Sequence, residues 1–220
     1  MDIGNYRPIT LLNSLFKTWE RLLTTLLSES LAGSSPPPNQ FGSQKGTSAP
    51  IALMVLRALF RQARNTGTPV YAAQVDLNKA YNRVNRKLLW AKLMDMDVPI
   101  KLIEAIESTY TECKESIRIG ANMGDPYTLL MGLRQGSVLS PILFILYTAS
   151  LLDELNEHEL GIPTGHDILH RLNAIMFVDD LFTFSTNLDD LEAQCKIINQ
   201  WALESGGVVS FENLLSRQHN

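Results

Sequence analysis

The chain has 220 residues, 45% of them hydrophobic, enough to bury a sizeable core as one domain or two small ones. No run of about 18 apolar residues occurs, so no transmembrane span is predicted, and residues 1–7 lack the basic-then-apolar order of a signal peptide. The net charge of −4 hides an asymmetry, since residues 1–134 carry 16 basic against 11 acidic side chains and residues 135–220 carry 3 against 12; that distribution suits a basic part holding a polyanion and an acidic part holding cations, or merely two solvated faces.

Residues 8–31 place Leu11, Leu12, Leu15, Phe16, Trp19, Leu22, Leu23, Leu26 and Leu27 at i, i+3, i+4 spacing. This predicts an amphipathic helix capped by Asn13 or Ser14, ending before the Gly33–Pro38 loop. A small-residue stretch, Gln40–Gly46, contains a single cation, Lys45. Ser48 is the expected cap of a second helix running to about Asn65. Its Arg57, Arg61 and Arg64 share one face, as a phosphate-facing stripe or an ordinary solvated surface.

Val70–Val75 is a predicted buried strand leading into Asp76. Helices are expected from Asn85 to Met94 and from Pro99 to about Cys113. Glu115–Ile119 and Tyr127–Met131 predict a hairpin around residues 120–125. Ser140-Pro141 has the order of a helix start, Ser as cap and Pro first in the helix, and the helix should reach about Glu157. Two strands meet at Asp179-Asp180, a helix covers Leu188–Glu204, and Val208–Phe211 is a short closing strand. From residue 70 the order is β-α-α-β-β-α-β-β-α-β, an α+β fold with helices on one face of its sheet.

Asp179 and Asp180 sit where a hairpin turn ordinarily carries Asn-Gly or Asp-Gly, between the apolar runs of residues 174–178 and 181–184. Paired carboxylates beside a core are costly unless a proton or cation satisfies them, and Asp76 also stands at a strand end. Strand ends converge across a sheet, so the three carboxylates could face one cleft and bind a hard cation such as Mg²⁺. Side chains alternate along a strand, so the two neighbours should contribute unequally. His166 and His170 are expected to be loop histidines, and Cys113 and Cys195 are too few for a disulfide framework.

Val75–Val84 (Val-Asp-Leu-Asn-Lys-Ala-Tyr-Asn-Arg-Val) resembles the first catalytic motif of reverse transcriptases of non-LTR, LINE-like retrotransposons. Gly132–Phe144 is similar to their second palm motif and Phe177-Val178-Asp179-Asp180 to the third. Asn5–Leu12 and Gln40-Phe41-Gly42 are similar to fingers motifs, in the expected order. The resemblance implies a right-handed polymerase fold with a partial fingers region at 1–69 and a palm at 70–220, parts of the fingers being interleaved, with neither thumb nor endonuclease.

It further implies RNA-directed DNA polymerase activity, with Asp76, Asp179 and Asp180 catalytic. Those three and the Leu77 carbonyl would hold two Mg²⁺ ions, Mn²⁺ being a substitute. Tyr81, Gln135, Gly136, Arg7 and Lys45 would bind the incoming deoxynucleoside triphosphate, Tyr81 as a gate against a 2′-hydroxyl. Lys17, Arg57 and Arg61 are template or primer contacts in the same expectation, with an RNA template, a DNA primer and no membrane partner. An intracellular site, nucleus or cytoplasm, is expected. Asn82 stands where relatives commonly carry Asp, Gln44-Lys45 replaces a more usual Arg-containing pair, and Gly207–Asn220 lacks the motif lysine, with Asn213 or Leu214 in its place. The alternatives are a catalytically silent remnant, a nucleic-acid-binding domain of polymerase fold, and an RNA-copying RNA polymerase; group II intron and telomerase relatives share the palm.

Overall fold

The structure is a computed structural model and describes residues 9–33, 36–44, 46–111, 113–158, 160–164 and 171–217, the last six as backbone. In chain order come helices α1 (Ser14–Ser30) and α2 (Ala49–Thr66), strand β1 (Val70–Leu77), and helices α3 (Ala80–Arg83), α4 (Arg86–Asp95) and α5 (Ile100–Ser108). Four two-residue strands follow, β2 (Lys114–Glu115), β3 (Arg118–Ile119), β4 (Asn122–Met123) and β5 (Tyr127–Thr128). Then come α6 (Ser140–Glu157), β6 (Ile162–Pro163) and β7 (Arg171–Leu172). Strands β8 (Ala174–Phe177) and β9 (Asp180–Ser185), helix α7 (Leu188–Ser205) and strand β10 (Val209–Arg217) complete the order. Among the described residues no helix is long and apolar enough to cross a membrane.

The chain forms two compact units, one of Met1–Ser34 with Tyr81–Ser140 and one of Ser35–Ala80 with Pro141–Asn220. In the first, α1 starts at Ser14 because the Asn13 side chain accepts the Phe16 N–H at 2.7 Å, which decides between the two expected caps. Its buried face is Glu20, Leu23 and Leu27, whereas Leu15, Trp19, Leu22 and Leu26 are exposed. Helix α5 packs against α1 and α4, and Leu89, Leu93, Ile103 and Ile106 are fully buried. The expected hairpin is present in two nested pieces, β2 on β5 and β3 on β4. The single turn α3 and the β6–β7 pair are too short to leave a periodic signal in the sequence.

The second unit is built on an antiparallel sheet of order β10-β1-β9-β8. Its register places Ala72 opposite Phe184, Gln74 opposite Phe182 and Asp76 opposite Asp180. Alternation therefore puts these six on one face, and Ala73, Val75, Leu181 and Thr183 on the other. Helix α2 covers the first face at the end away from Asp76, where Ala52, Leu59, Ile175 and Phe184 pack together and the Phe60 ring meets Phe184 edge-on at 6.4 Å.

The opposite face meets α7: Gln194 bonds the Thr183 hydroxyl and donates to the Phe184 carbonyl at 3.1 Å. Helix α6 joins α7 through the Tyr147 hydroxyl, which donates to Ser205 O at 2.6 Å, and through the Tyr147–Trp201 ring contact. Seven successive residues of α6, Leu143–Ala149, are buried, as a helix apolar on every side must be. The antiparallel sheet with a helical layer is the expected one, and α2 adds cover on part of its second face. Strand β10 extends beyond the expected Val208–Phe211, and its register on β1 shifts between Ala72 and Gln74, where Asn213 and Leu214 stand on the β10 side.

Thr183 Oγ1 also stands 2.9 Å from Asn173 O, so its single O–H is shared between Gln194 Oε1 and that carbonyl in a fully buried polar cluster at the sheet–helix boundary. Thr183→Val keeps the shape and strands Gln194. It should lower the unfolding free energy by about 1–3 kcal/mol, read as a reduced denaturant midpoint at constant slope.

Candidate active site

Phe177 and Asp180 form the last pair between β8 and β9, so the turn consists of Val178 and Asp179 alone. Val178 has φ of 61°, a left-handed conformation that β-branched residues rarely adopt. Two-residue hairpins normally place Gly, Asn or Asp at such a position. The strained residue immediately precedes the acidic pair, where backbone strain is most informative about function. Asp180 is exposed and Asp179 half-buried.

The register settles which neighbour shares a face with Asp76. Asp180 lies directly across from it on β9, and Ser210 is its partner on β10. Any part for Asp179 beside Asp76 therefore depends on the turn and not on strand alternation. Leu77 is buried and paired with Val209, one residue beyond Asp76 on β1. Like charges directly opposite on antiparallel strands destabilise the pair, and a cation between them removes that penalty.

Among the described residues no three acidic, histidine or cysteine side chains are gathered into a ready-made cage. The donor set nevertheless fits Mg²⁺, which takes one or two carboxylates and completes its shell with water and substrate phosphates. His166 and His170 lie outside the described residues.

In the first unit the Arg134–Ser137 segment is held by a buried carboxylate that the sequence argument did not single out. Glu20 is 0% exposed. Its Oε1 accepts from Ser137 Oγ at 2.7 Å and its Oε2 from the Val138 N–H at 3.0 Å. The Arg134 guanidinium comes within 3.5 Å of the same carboxylate and lies over the rings of Phe16 and Tyr110, at 4.9 and 4.5 Å. That ion pair is buried on both sides, and no hydrogen bond of good geometry joins its two partners. Burial raises the Tyr110 hydroxyl above the usual tyrosine range, while Arg134 and a hydrogen bond with Ser140 pull the other way. A signal was available for Glu20: it occupies an apolar-stripe position with Phe16, Leu23 and Leu27, where a charge must find buried partners.

Gln135 donates through Nε2 to Asn82 Oδ1 at 3.0 Å, so the residue that replaces the commoner Asp still serves as an acceptor. Gly136 has φ of 107°, and a Cβ there would lie 2.7 Å from the Thr10 carbonyl. The chain itself thus requires a glycine here, beside Thr10, whose N–H donates to Gln135 O at 2.6 Å. A cavity of about 340 Å³ adjoins this loop, with Thr10, Asn82, Tyr127 and Gln135 in its walls.

Tyr81 is half-buried on α3, and its carbonyl accepts the Leu133 N–H at 2.7 Å. Lys17 is half-buried on α1. Arg57 and Arg61 are exposed on α2, away from its buried Ala52, Leu59 and Ala63. Arg7 and Lys45 lie outside the described residues.

Removing one partner of a buried ion pair leaves the other uncompensated. Glu20→Ala should therefore lower stability by about 3–5 kcal/mol in chemical denaturation, and Glu20→Gln by less because it retains an acceptor for Ser137 or Val138.

The sequence profile of the family described as reverse transcriptase (RNA-dependent DNA polymerase) matches residues 2–212. A probable RNA-directed DNA polymerase from transposon BS of Drosophila melanogaster is 30% identical over 67% of this chain and 16% of its own length. The Pol polyprotein of the type-2 retrotransposable element R2DM, from the same organism, is 28% identical over 82% of this chain and 16% of its own. The chain thus spans about a sixth of the length of these relatives. Among solved structures, telomerase from Candida tropicalis in complex with a telomeric RNA fragment superposes with a TM-score of 0.63 at 15% identity. That match covers 90% of this chain and 32% of the telomerase, a likeness of fold. With a family profile matched over nearly its whole length, the chain belongs to the reverse transcriptase family.

Proposed function

We propose that this chain carries the nucleotide-joining centre of an RNA-directed DNA polymerase, in which a primer 3′-hydroxyl attacks a deoxynucleoside triphosphate opposite an RNA template. The observation that carries the proposal is the confrontation of Asp76 with Asp180 at the open end of a sheet, with Asp179 on a strained turn beside them. Reverse transcriptases as a family use divalent metal ions. Two Mg²⁺ ions, or Mn²⁺ in their place, supply charge neutralisation at the attacking and leaving oxygens when bound.

In this proposal Asp76 and Asp180 offer oxygens from adjacent strands, Asp179 adds one from the turn, and the Leu77 carbonyl completes the protein's share. Tyr81 would exclude a 2′-hydroxyl by its ring. Gln135 and Gly136 would border the incoming nucleotide, Gln135 oriented by Asn82. Lys17, Arg57 and Arg61 would meet backbone phosphates, so binding should weaken as salt rises. The four-stranded sheet is the natural palm, because it bears the carboxylates.

Primer extension on an RNA template with Mg²⁺ tests this. Wild type should extend the primer with deoxynucleotides, Asp76→Asn and Asp179→Asn should fall to background, and Tyr81→Ala should admit ribonucleotides. Equal extension by wild type and Asp179→Asn contradicts the proposal. One observation favours a binding domain without catalysis: residues 207–220 contain no lysine to protonate the leaving pyrophosphate, and a general acid contributes about 10²–10⁴-fold. Tight binding of an RNA–DNA duplex with no extension at any Mg²⁺ concentration would establish that second reading.

A further inference from the structure

The turn that carries Asp179 is supported from outside the hairpin. The segment Asn39–Phe41 runs beside β8, the edge strand, with Gln40 in a parallel bridge to Met176. Met176 N–H donates to Asn39 O at 2.9 Å and Phe41 N–H donates to Met176 O at 2.7 Å. The Gln40 side chain is 1% exposed, and its Oε1 accepts two backbone protons, from Gly42 at 2.9 Å and from Val178 at 3.2 Å. Two converging N–H donors fix which end of the amide is oxygen.

The same amide leaves its Nε2 buried with no hydrogen-bond partner. An unpaired buried donor is a standing cost, so a purely space-filling role would be better served by an apolar side chain. Gly42 makes the approach possible: a Cβ there would lie 2.4 Å from Val178 N and 2.5 Å from its Cγ2. Val178, β-branched and at φ of 61°, has no local chemistry that favours its conformation. The stabilising contact comes from Gln40.

We propose that Gln40 is the positioning residue of the acidic turn: its side-chain oxygen holds the Val178 amide and thereby sets where Asp179 presents its carboxylate to a divalent cation. Gln40 touches neither substrate nor metal. It acts on the turn one residue before the acidic pair. The proposal deepens the polymerase reading and rests on it for the identity of the bound cation.

The test uses the full chain with Gln40→Met, which keeps length and loses the acceptor, and Gln40→Glu, which keeps the acceptor. Amide hydrogen exchange is read at Val178 with Leu181 as internal control, Mn²⁺ affinity by the resonance signal of the free ion, and fold by thermal unfolding. In Gln40→Met, Val178 should exchange about tenfold faster and Mn²⁺ should bind about tenfold more weakly, with Leu181 protection retained. Gln40→Glu should restore Val178 protection.

Gly42→Ala, which pushes on the Val178 backbone directly, should also weaken Mn²⁺ binding and serves if Gln40→Met does not fold. Unchanged Val178 protection in Gln40→Met overturns the proposal, and so does lost protection with unchanged Mn²⁺ affinity. Primer extension is scored separately. A wild type that binds Mn²⁺ through Asp76 and Asp179 but never extends a primer refutes the polymerase reading while leaving that of Gln40 to stand or fall on exchange and affinity.

Discussion

Two carboxylates face each other across hydrogen-bonded strands, and much else in the second unit follows from that confrontation. Asp76 and Asp180 are direct partners in the β1–β9 register, and like charges placed directly opposite on antiparallel strands disfavour the pairing. The sheet tolerates it because the rest of the unit is well bound. Helix α7 covers one face, α2 covers part of the other, and the run Leu143–Ala149 of α6 is buried throughout. Stability gathered along the strands offsets a local penalty at their open end, as expected where a site must keep charge ready for a ligand.

The two loops that carry the proposed site residues share a second trait: each is held by a buried polar side chain from a distant segment. In the sheet unit the amide of Gln40 reaches Val178 across 138 positions of sequence. In the other unit the carboxylate of Glu20 reaches Ser137 and Val138 across 117 and 118 positions. Both supports consist of an acceptor meeting two donors, and both stand beside glycines whose backbones another segment approaches closely, Gly42 and Gly136. Hydrogen bonds of this kind add little to net stability, yet leaving a buried donor unmade is expensive, so they fix geometry more than they add energy.

Local signals in the sequence were enough for the long helices, the central strands and the acidic turn. Asn13, Asn85 and Asn187 cap their helices through side-chain oxygens, and the apolar strand expected to lead into Asp76 is present and runs on to Leu77. Strand pairing was less legible. Alternation alone separates Asp179 from Asp180, but only the register with β1 shows which of them shares a face with Asp76. Gln40 and Glu20 were missed as supports because their partners are more than a hundred residues away. Glu20 left a trace, a charge in an apolar stripe, and Gln40 left none beyond its place in a motif. Gly136 was expected to border the incoming nucleotide, and the sequence held no sign that the Thr10 carbonyl would also leave no room for a Cβ there.

The central claim is that Asp76 and Asp180, direct partners in the β1–β9 register, offer their carboxylates to a divalent cation. Equilibrium denaturation of wild type and Asp76→Asn, each with and without Mg²⁺, measures this without reference to activity. Without metal, Asp76→Asn should be the more stable protein, and Mg²⁺ should raise the midpoint of wild type while leaving that of Asp76→Asn unmoved. A less stable Asp76→Asn together with no response of wild type to Mg²⁺ would contradict the claim.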